Sequence, residues 1–317
     1  MNDIRGKTLR LSRELLFTAT SPSISVTKLQ PNDVEGIREH MRTHGWVIIR
    51  KLFTSTEALA MRDGVLRSKR ELLTGDLLSN PHLRTTLLDS RFLTAVKTVV
   101  GPKPVYFGDS NWSADYYPGT IGFHKDNPDK ENQSAPDWAS DYTIFRFGIY
   151  LHDCTQYSGG LCLRDKSHNS VSVTRGQSFA VPTEPGDVVA WSHRTTHSGY
   201  ATRLRLLPKV FLPLQLVARL ATNPAGYMPP PALFRGLQYP ERLALFASFG
   251  RRDAHLERYV RYLCTRQYYV QSVKDSVWKP EAVEQANTAG LDLLSLHEQL
   301  RNVDVSKLNK DHVPLPS

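Results

Sequence analysis

The chain has 317 residues, of which 40% are hydrophobic and 22% are charged, the composition of a folded globular protein rather than of a disordered or fibrous one. This length exceeds that of a typical domain, but elaborated β-barrels and sandwiches often reach it as one unit. The net charge of +9 favours acidic partners, yet the basic residues form no block of like charges, so nucleic acid is not a predicted partner.

The N-terminal segment, residues 1–30, is predicted to be an irregular arm with a break at Ser21-Pro22-Ser23. It carries charge throughout and has no continuous apolar core, so no secretion signal is predicted. No uncharged apolar run approaches the ~20 residues of a membrane span, and an integral membrane segment is not expected. The sequence has three cysteines, Cys154, Cys162 and Cys264. Their odd number and the lack of CxxC spacing argue against disulfides or a zinc site and favour a cytoplasmic location.

Residues 31–104 are predicted to form a helical support that contains the first strand. Residues 32–44 have the pattern of a helix, and the apolar, β-rich run 45–49 follows as a strand. Thr54 with Glu57 three residues later is a capping-box pattern that begins an amphipathic helix. We expect this helix to cover a sheet.

Residues 105–215 have a different texture, in which short apolar or aromatic runs are separated by turns rich in Pro, Gly and Asp. This is typical of an all-β core such as a jelly roll. Residues 216–317 are predicted to be a helical C-terminal region, so the sequence predicts one α+β domain over residues 1–317. The apolar or aromatic runs of residues 105–215 are 105–107, 143–151, 160–163, 187–191 and 204–214. The clearest helix of the C-terminal region has Leu256, Tyr259, Val260 and Leu263 on one face.

The most informative short motif is His124-Lys125-Asp126. If it ends a strand, alternation places His124 and Asp126 on the same face, close enough to bind one metal ion. One imidazole and one carboxylate suit Fe(II), and a second histidine would complete the facial triad of non-haem iron oxygenases.

That second histidine is expected at the end of another strand further along the chain. A turn at Pro185-Gly186-Asp187 leads into the run 188–191, and His197 follows near its far end. His193 has the same strand parity and is the alternative ligand. The predicted metal site is therefore His124, Asp126 and His197.

Four features in one order carry a family resemblance: the His-x-Asp motif, a Gly-Gly turn and strand ending in Ser167-His168, the Pro-Gly-Asp strand, and the distal histidine. Together with the early strand and helix, they make residues 33–212 similar to the phytanoyl-CoA dioxygenase family of Fe(II)/2-oxoglutarate oxygenases. The family's Pro-Gly-Ser-His is Arg164-Asp165-Lys166-Ser167-His168 here. The resemblance implies a double-stranded β-helix, cupin-like core that uses Fe(II), 2-oxoglutarate and O₂, with ascorbate as a further candidate cofactor.

The family binds the far carboxylate of 2-oxoglutarate through a basic residue shortly after the distal histidine, and a bidentate arginine suits a carboxylate. Arg203 and Arg205 share one strand face in this position. Family spacing favours Arg205, whereas similarity to a segment of prolyl hydroxylases favours Arg203. Both stay open as cofactor-binding residues, and Lys209 is next in line.

The resemblance implies hydroxylation of an unactivated C–H with release of succinate and CO₂. Related halogenases have a small residue where this chain has Asp126, so hydroxylation is favoured over halogenation, while desaturation, epimerisation and ring formation remain alternatives. The expected substrate is a small or carrier-linked metabolite, and the basic surface would favour an anionic one. No catalytic residue beyond the three ligands, no substrate-binding residue and no oligomeric state is predicted.

Two other functions are weighed: a cupin-type non-oxidative metalloenzyme and a non-catalytic β-helix binding protein. Neither explains a triad together with candidate arginines. Among the other polar residues, His168 is expected to pack inside the barrel and Asp187 to shape its turn. Trp112, Tyr116 and Tyr117 are expected to pack in the core, with pocket lining as the alternative.

Overall fold

The computed structural model describes residues 25–115, 123–155, 160–199 and 242–310, together with the backbone of two short strands at 17–19 and 202–204. The protein is a mixed α+β structure built around one large and one small sheet. In chain order the strands are β1 (Phe17–Ala19), β2 (Lys28–Leu29), β3 (Trp46–Ile49), β4 (Val105–Asp115), β5 (Phe145–Tyr150), β6 (Cys162–Arg164), β7 (Ser178–Ala180), β8 (Val188–Ser192), β9 (His197–Ser198), β10 (Thr202–Leu204), β11 (Arg242–Gly250) and β12 (Asp292–Leu293).

The large sheet has seven strands in the order β12-β4-β11-β5-β8-β3-β2. Its five central strands pair antiparallel, and only the edge strands β12 and β2 pair parallel with their neighbours. The small sheet has the order β7-β6-β9, and β1 pairs with β10 as a separate ribbon. An isolated bridge between His124 and His197 continues the small sheet beyond β9.

Helices flank the sheets, and in the described part of the chain none is long and apolar enough to cross a membrane. In chain order they are α1 (Val34–His44), α2 (Ser55–Arg70), α3 (Arg84–Leu87), α4 (Ser90–Val100), α5 (Pro136–Ala139), α6 (Ala254–Leu263), α7 (Gln267–Asp275), α8 (Pro280–Thr288) and α9 (His297–Leu300).

The core has an inner and an outer layer because both faces of the large sheet are covered. Strand alternation sends Trp46 and Ile48 inward, where they pack with Leu163 and Phe179 of the small sheet. The intervening residues face outward against α1, α2 and α4. Strands buried on both faces have continuous apolar runs, which explains the composition of residues 45–49.

The helix and strand predicted for residues 32–49 are confirmed. Asp33 caps α1 by accepting from the backbone N–H of Gly36, and the helix ends at Gly45 with φ of 79°. A side chain on Gly45 would place Cβ 2.5 Å from the ring of His168. Only glycine therefore allows α1 to turn directly into β3 at this point.

The prediction of a helical region from residue 216 onward is wrong for β11, which lies in the centre of the large sheet between β4 and β5. Every residue of Arg242–Gly250 is buried, so its sequence shows no alternation and suits a buried helix as well as a strand. The helix with Leu256, Tyr259, Val260 and Leu263 on one face is confirmed as α6. Residues 1–30 were expected to be irregular, but their described parts include β1 and β2.

Candidate metal centre

Three side chains predicted as metal ligands come together in the structure. Donor atoms of His124, Asp126 and His197 all lie within 4.8 Å of one another, and this is the one such cluster among the described residues. The Nε2 atoms of His124 and His197 lie 3.6 and 3.3 Å from the carboxylate oxygens of Asp126. Two imidazoles and one carboxylate on one side of a site are the donor set of a non-haem Fe(II) centre.

Backbone pairing fixes the two ligand-bearing segments to each other. The N–H of His124 donates to the carbonyl of His197 over 3.0 Å, and the N–H of His197 donates back over 2.9 Å. Two residues on, the N–H of Asp126 donates to the carbonyl of His193 over 2.9 Å. Segments far apart in the sequence thus present their ligands from a shared backbone ladder.

The surroundings of the cluster favour cation binding. The Nδ1–H of His197 donates to the carbonyl of Thr195 over 3.0 Å, which leaves Nε2 as the ring nitrogen that faces the cluster. Burial by itself would raise the pKa of the Asp126 carboxyl, but the imidazoles of His197 and then His124 hold that pKa well below its ordinary value. The carboxylate is therefore ionised at neutral pH and available to a metal ion.

The other two histidines near the site have structural roles. The Nε2 of His193 lies 3.2 Å from the hydroxyl of Ser248, its ring packs against Tyr259, and burial lowers its pKa to about 4. It is not part of the donor cluster, so the geometry favours His197 over this alternative. His168 is buried and its Nε2 donates to the carbonyl of Arg42 over 3.1 Å, in agreement with the packing role predicted for it.

The turn before β8 is organised by Asp187, as predicted. Its carboxylate accepts from the backbone N–H groups of Lys51 and Glu184 over 2.9 and 3.0 Å. It also forms an ion pair of 2.8 Å with Lys28. These contacts fix the position of the start of β8, the strand that leads toward His197.

Lys125 is a residue that sequence analysis missed. It lies between two candidate ligands and is fully buried, and its Nζ donates to the carbonyls of Ser167 and Arg194 over 2.8 and 2.6 Å. Burial, with a smaller contribution from Arg194, lowers its pKa to about 7. The sequence did contain a sign of this role. Strand alternation that places His124 and Asp126 on one face points the side chain of the residue between them, Lys125, to the opposite face.

A cavity of about 330 Å³ opens beside the donor cluster, and two arginines line it. His124, Asp126 and His197 all line this cavity, and the side chain of His124, 31% exposed, is more accessible than that of His197, 8% exposed. Trp112 also lines the cavity, while Tyr116 and Tyr117 lie outside the described residues. The other lining residues are Asn111, Ser113, Arg146, Tyr150, Leu161, Trp191, Gly199, Arg242 and Phe246.

Arg242, the first residue of β11, is the second residue that sequence analysis missed. Its guanidinium lies 5.8 and 5.5 Å from the ring centres of Tyr150 and Phe246. Among the described residues no carboxylate pairs with it, and its buried Nε has no hydrogen-bond partner. The side chains of Arg203 and Arg205 lie outside the described residues, as does Lys209.

No known family model matches the chain, and no curated protein sequence matches it. Solved structures do resemble it. Iron-bound HygX from Streptomyces hygroscopicus is 18% identical with a TM-score of 0.46, over 68% of this chain and 87% of that one. SnoK, a non-haem α-ketoglutarate-dependent carbocyclase of nogalamycin biosynthesis, is 14% identical with a TM-score of 0.43, over 73% and 93%. SnoN, the corresponding epimerase, is 12% identical with a TM-score of 0.42, over 69% and 83%.

Proposed function

We propose that this protein is a non-haem Fe(II)- and 2-oxoglutarate-dependent oxygenase on a double-stranded β-helix, similar to the phytanoyl-CoA dioxygenase family. The observation that carries the proposal is the cluster of His124, Asp126 and His197 at a cavity. The large and small sheets enclose a shared apolar core, which supports the β-helix architecture.

Within this proposal His124, Asp126 and His197 hold the metal and leave its remaining positions open toward the cavity. Bound Fe(II), with 2-oxoglutarate and O₂, supplies the oxidising power to hydroxylate an unactivated C–H with release of succinate and CO₂. The protein's own contribution is to orient the ligands, to anchor the co-substrate and to place the substrate's C–H beside the metal.

For the far carboxylate of 2-oxoglutarate we propose Arg242 as the partner. It has the required charge and fork-shaped donors, it lines the same cavity as the metal cluster, and no described carboxylate competes for it. Arg203 and Arg205 remain the alternatives from sequence. Replacing each of the three arginines in turn distinguishes them.

Hydroxylation is the outcome that the site favours. A carboxylate at Asp126 occupies the position that a halide would need, and a cupin-type metalloenzyme with three histidines and a glutamate would require donors that the cluster does not contain. Desaturation, epimerisation or ring formation would use the same cluster and differ in where the substrate's C–H is held.

The test of this function is spectroscopic. Anaerobic addition of Fe(II) and 2-oxoglutarate is expected to produce a weak visible charge-transfer absorbance. His124→Ala and Asp126→Ala should abolish it because each removes one of three ligands.

A matched control is His82→Ala, since this surface histidine pairs with Glu71 and lies outside the cluster. It should retain both iron and absorbance. Iron content near that of the wild type in both ligand variants would rule out the proposed triad.

A further inference from the structure

A second arginine, Arg146, lies at the level of the metal cluster. In β5 it is the register partner of Trp191 in β8, and the ring of Trp191 packs 5.6 Å from that of His197. Arg146 lines the same cavity as the cluster. A group of the organic substrate that lies beside the metal would therefore meet this side chain.

Unlike Arg242, Arg146 has a carboxylate partner. Its Nη1 lies 3.5 Å from Oδ2 of Asp109, and its Nη2 donates to Oδ1 of Asn111 over 2.8 Å. The hydroxyl of Tyr259 donates to the same oxygen of Asp109 over 3.2 Å. With exposed fractions of 18% and 10%, Arg146 and Asp109 form a largely shielded pair that α6 holds in place through Tyr259.

Charge balance decides what this pair can accept. The proposed cofactors bring charges of 2+ on iron and 2− on 2-oxoglutarate, and the charges of Arg242 and Asp126 also cancel. Because Asp109 neutralises Arg146, the charged groups that the described residues place around the cavity and the charges of the cofactors sum to zero. An anionic substrate group would then enter a partly buried site without a counter-charge, which is costly.

Hydrogen-bonding capacity nevertheless remains on this wall. Asn111 uses its carbonyl toward Arg146, and its amide N–H groups have no acceptor among the described residues. A guanidinium carries five N–H donors, more than Arg146 uses here. The wall therefore offers donors without offering net charge.

We propose that Arg146 and Asn111 bind a neutral, oxygen-bearing group of the substrate, a hydroxyl or a carbonyl, and that Asp109 excludes an anionic group from this position. The proposal rests on the oxygenase function proposed above. On this proposal the basic surface attracts molecules to the protein, whereas the cavity itself selects a neutral substrate group.

The experiment compares two probes of nearly equal shape, dimethyl sulfone and methanesulfonate, which differ in charge. The anaerobic complex with Fe(II) and 2-oxoglutarate is formed first, and its absorbance shows that the proposed function holds before either probe is added. Calorimetric titration then gives each probe's affinity for the wild type, Asp109→Asn, Arg146→Met and the double variant.

Removing the counter-charge in Asp109→Asn is expected to tighten methanesulfonate binding about tenfold or more, since a charge at this distance contributes strongly. Dimethyl sulfone affinity should change by no more than about twofold, because a neutral ligand gains no charge attraction. The double variant should lose the gain, which assigns it to Arg146.

Two results would overturn the proposal. One is a wild-type protein that already prefers methanesulfonate by about tenfold and loses the preference in Arg146→Met. The other is an Asp109→Asn protein without tighter methanesulfonate binding. If Asp109→Asn does not fold, Arg146→Met decides alone, since the proposal predicts that this variant loses affinity for dimethyl sulfone, and an unchanged dimethyl sulfone affinity would overturn it.

Discussion

Lys125 shows how one buried side chain can hold together the segments of a candidate metal site. Its ammonium bonds to the carbonyl of Ser167, which follows β6, and to the carbonyl of Arg194, which precedes His197. The segment with His124 and Asp126 is thereby fixed to both neighbouring segments from the face opposite the ligands. We infer that Lys125 positions the ligands without contacting the metal.

Lys125→Met should weaken Fe(II) binding by about 10- to 100-fold, the usual effect of losing an outer partner of a metal site. It should also cost about 1–3 kcal/mol of stability, because two buried carbonyls lose their donor. A chelator competition and a denaturant titration measure the two effects.

Lys125→Arg should restore part of the iron affinity because it returns N–H donors to the same carbonyls, and Lys103→Met at an exposed position is the control. Unchanged iron affinity in Lys125→Met, with only stability lowered, would show that this lysine supports the fold and not the ligand geometry.

Arg242 is the proposed partner of the far carboxylate of 2-oxoglutarate. Arg242→Ala should raise the half-saturating 2-oxoglutarate concentration about tenfold or more with iron binding intact, because a carboxylate that loses its buried partner loses ~3–5 kcal/mol. Arg242→Lys should rescue only partly, since lysine keeps the charge without the fork. A 2-oxoglutarate titration of succinate formation measures this.

Arg203→Ala and Arg205→Ala are the matched comparisons. If one of them has the large effect and Arg242→Ala does not, the partner predicted from the sequence is correct and the assignment of Arg242 is wrong. If none of the three changes the 2-oxoglutarate dependence, Lys209 is the next residue to replace.

At the scale of the elements, the start of α2 is set by its own sequence. The N–H of Glu57 donates to the Thr54 hydroxyl over 3.2 Å, and the Glu57 carboxylate accepts from the Thr54 N–H over 2.7 Å. The predicted capping box is thus confirmed. Glu57 also forms an ion pair of 2.7 Å with Arg91 of α4, so the cap connects two helices that cover the large sheet.

Thr54→Ala should lower the free energy of unfolding by about 1 kcal/mol, since the first turn of α2 loses a side-chain acceptor. Urea titration measures the loss. Thr56→Ala, two residues on at an exposed position of the same turn, should change stability much less. Equal effects of the two substitutions would contradict the role of the cap.

The position of β11, unlike the start of α2, is not set by its own sequence. It brings Arg242 and Phe246 to the cavity and Ser248 to His193 from a part of the chain that follows the distal histidine by some distance. Its place between β4 and β5 depends on partners on both sides. No local pattern in its largely apolar sequence predicts this position.

Across the whole molecule, the C-terminal helices pack against the strands and the loop next to the donor cluster. Leu256 and Leu263 of α6 pack against Val105 and Ile144 near the start of β4 and β5. Arg258 forms an ion pair of 2.7 Å with Asp129, three residues after Asp126 of the donor cluster. The C-terminal region thus supports the wall of the cavity and the loop behind the ligands.

The sequence alone determined the features that depend on a few adjacent residues. The alternation of His124 and Asp126, the cap at Thr54 and the turn at Asp187 follow from backbone periodicity and hydrogen bonds within a short span, and the structure shows each of these arrangements.

Only the tertiary structure shows that His197, and not His193, lies in the donor cluster with His124 and Asp126, and only it places Arg242, Arg146 and Lys125 around that cluster. These outcomes depend on which strands pair and in which register. Pairing is fixed by burial and hydrogen bonds between segments far apart in the chain, and a run that is apolar on both faces fits more than one partner.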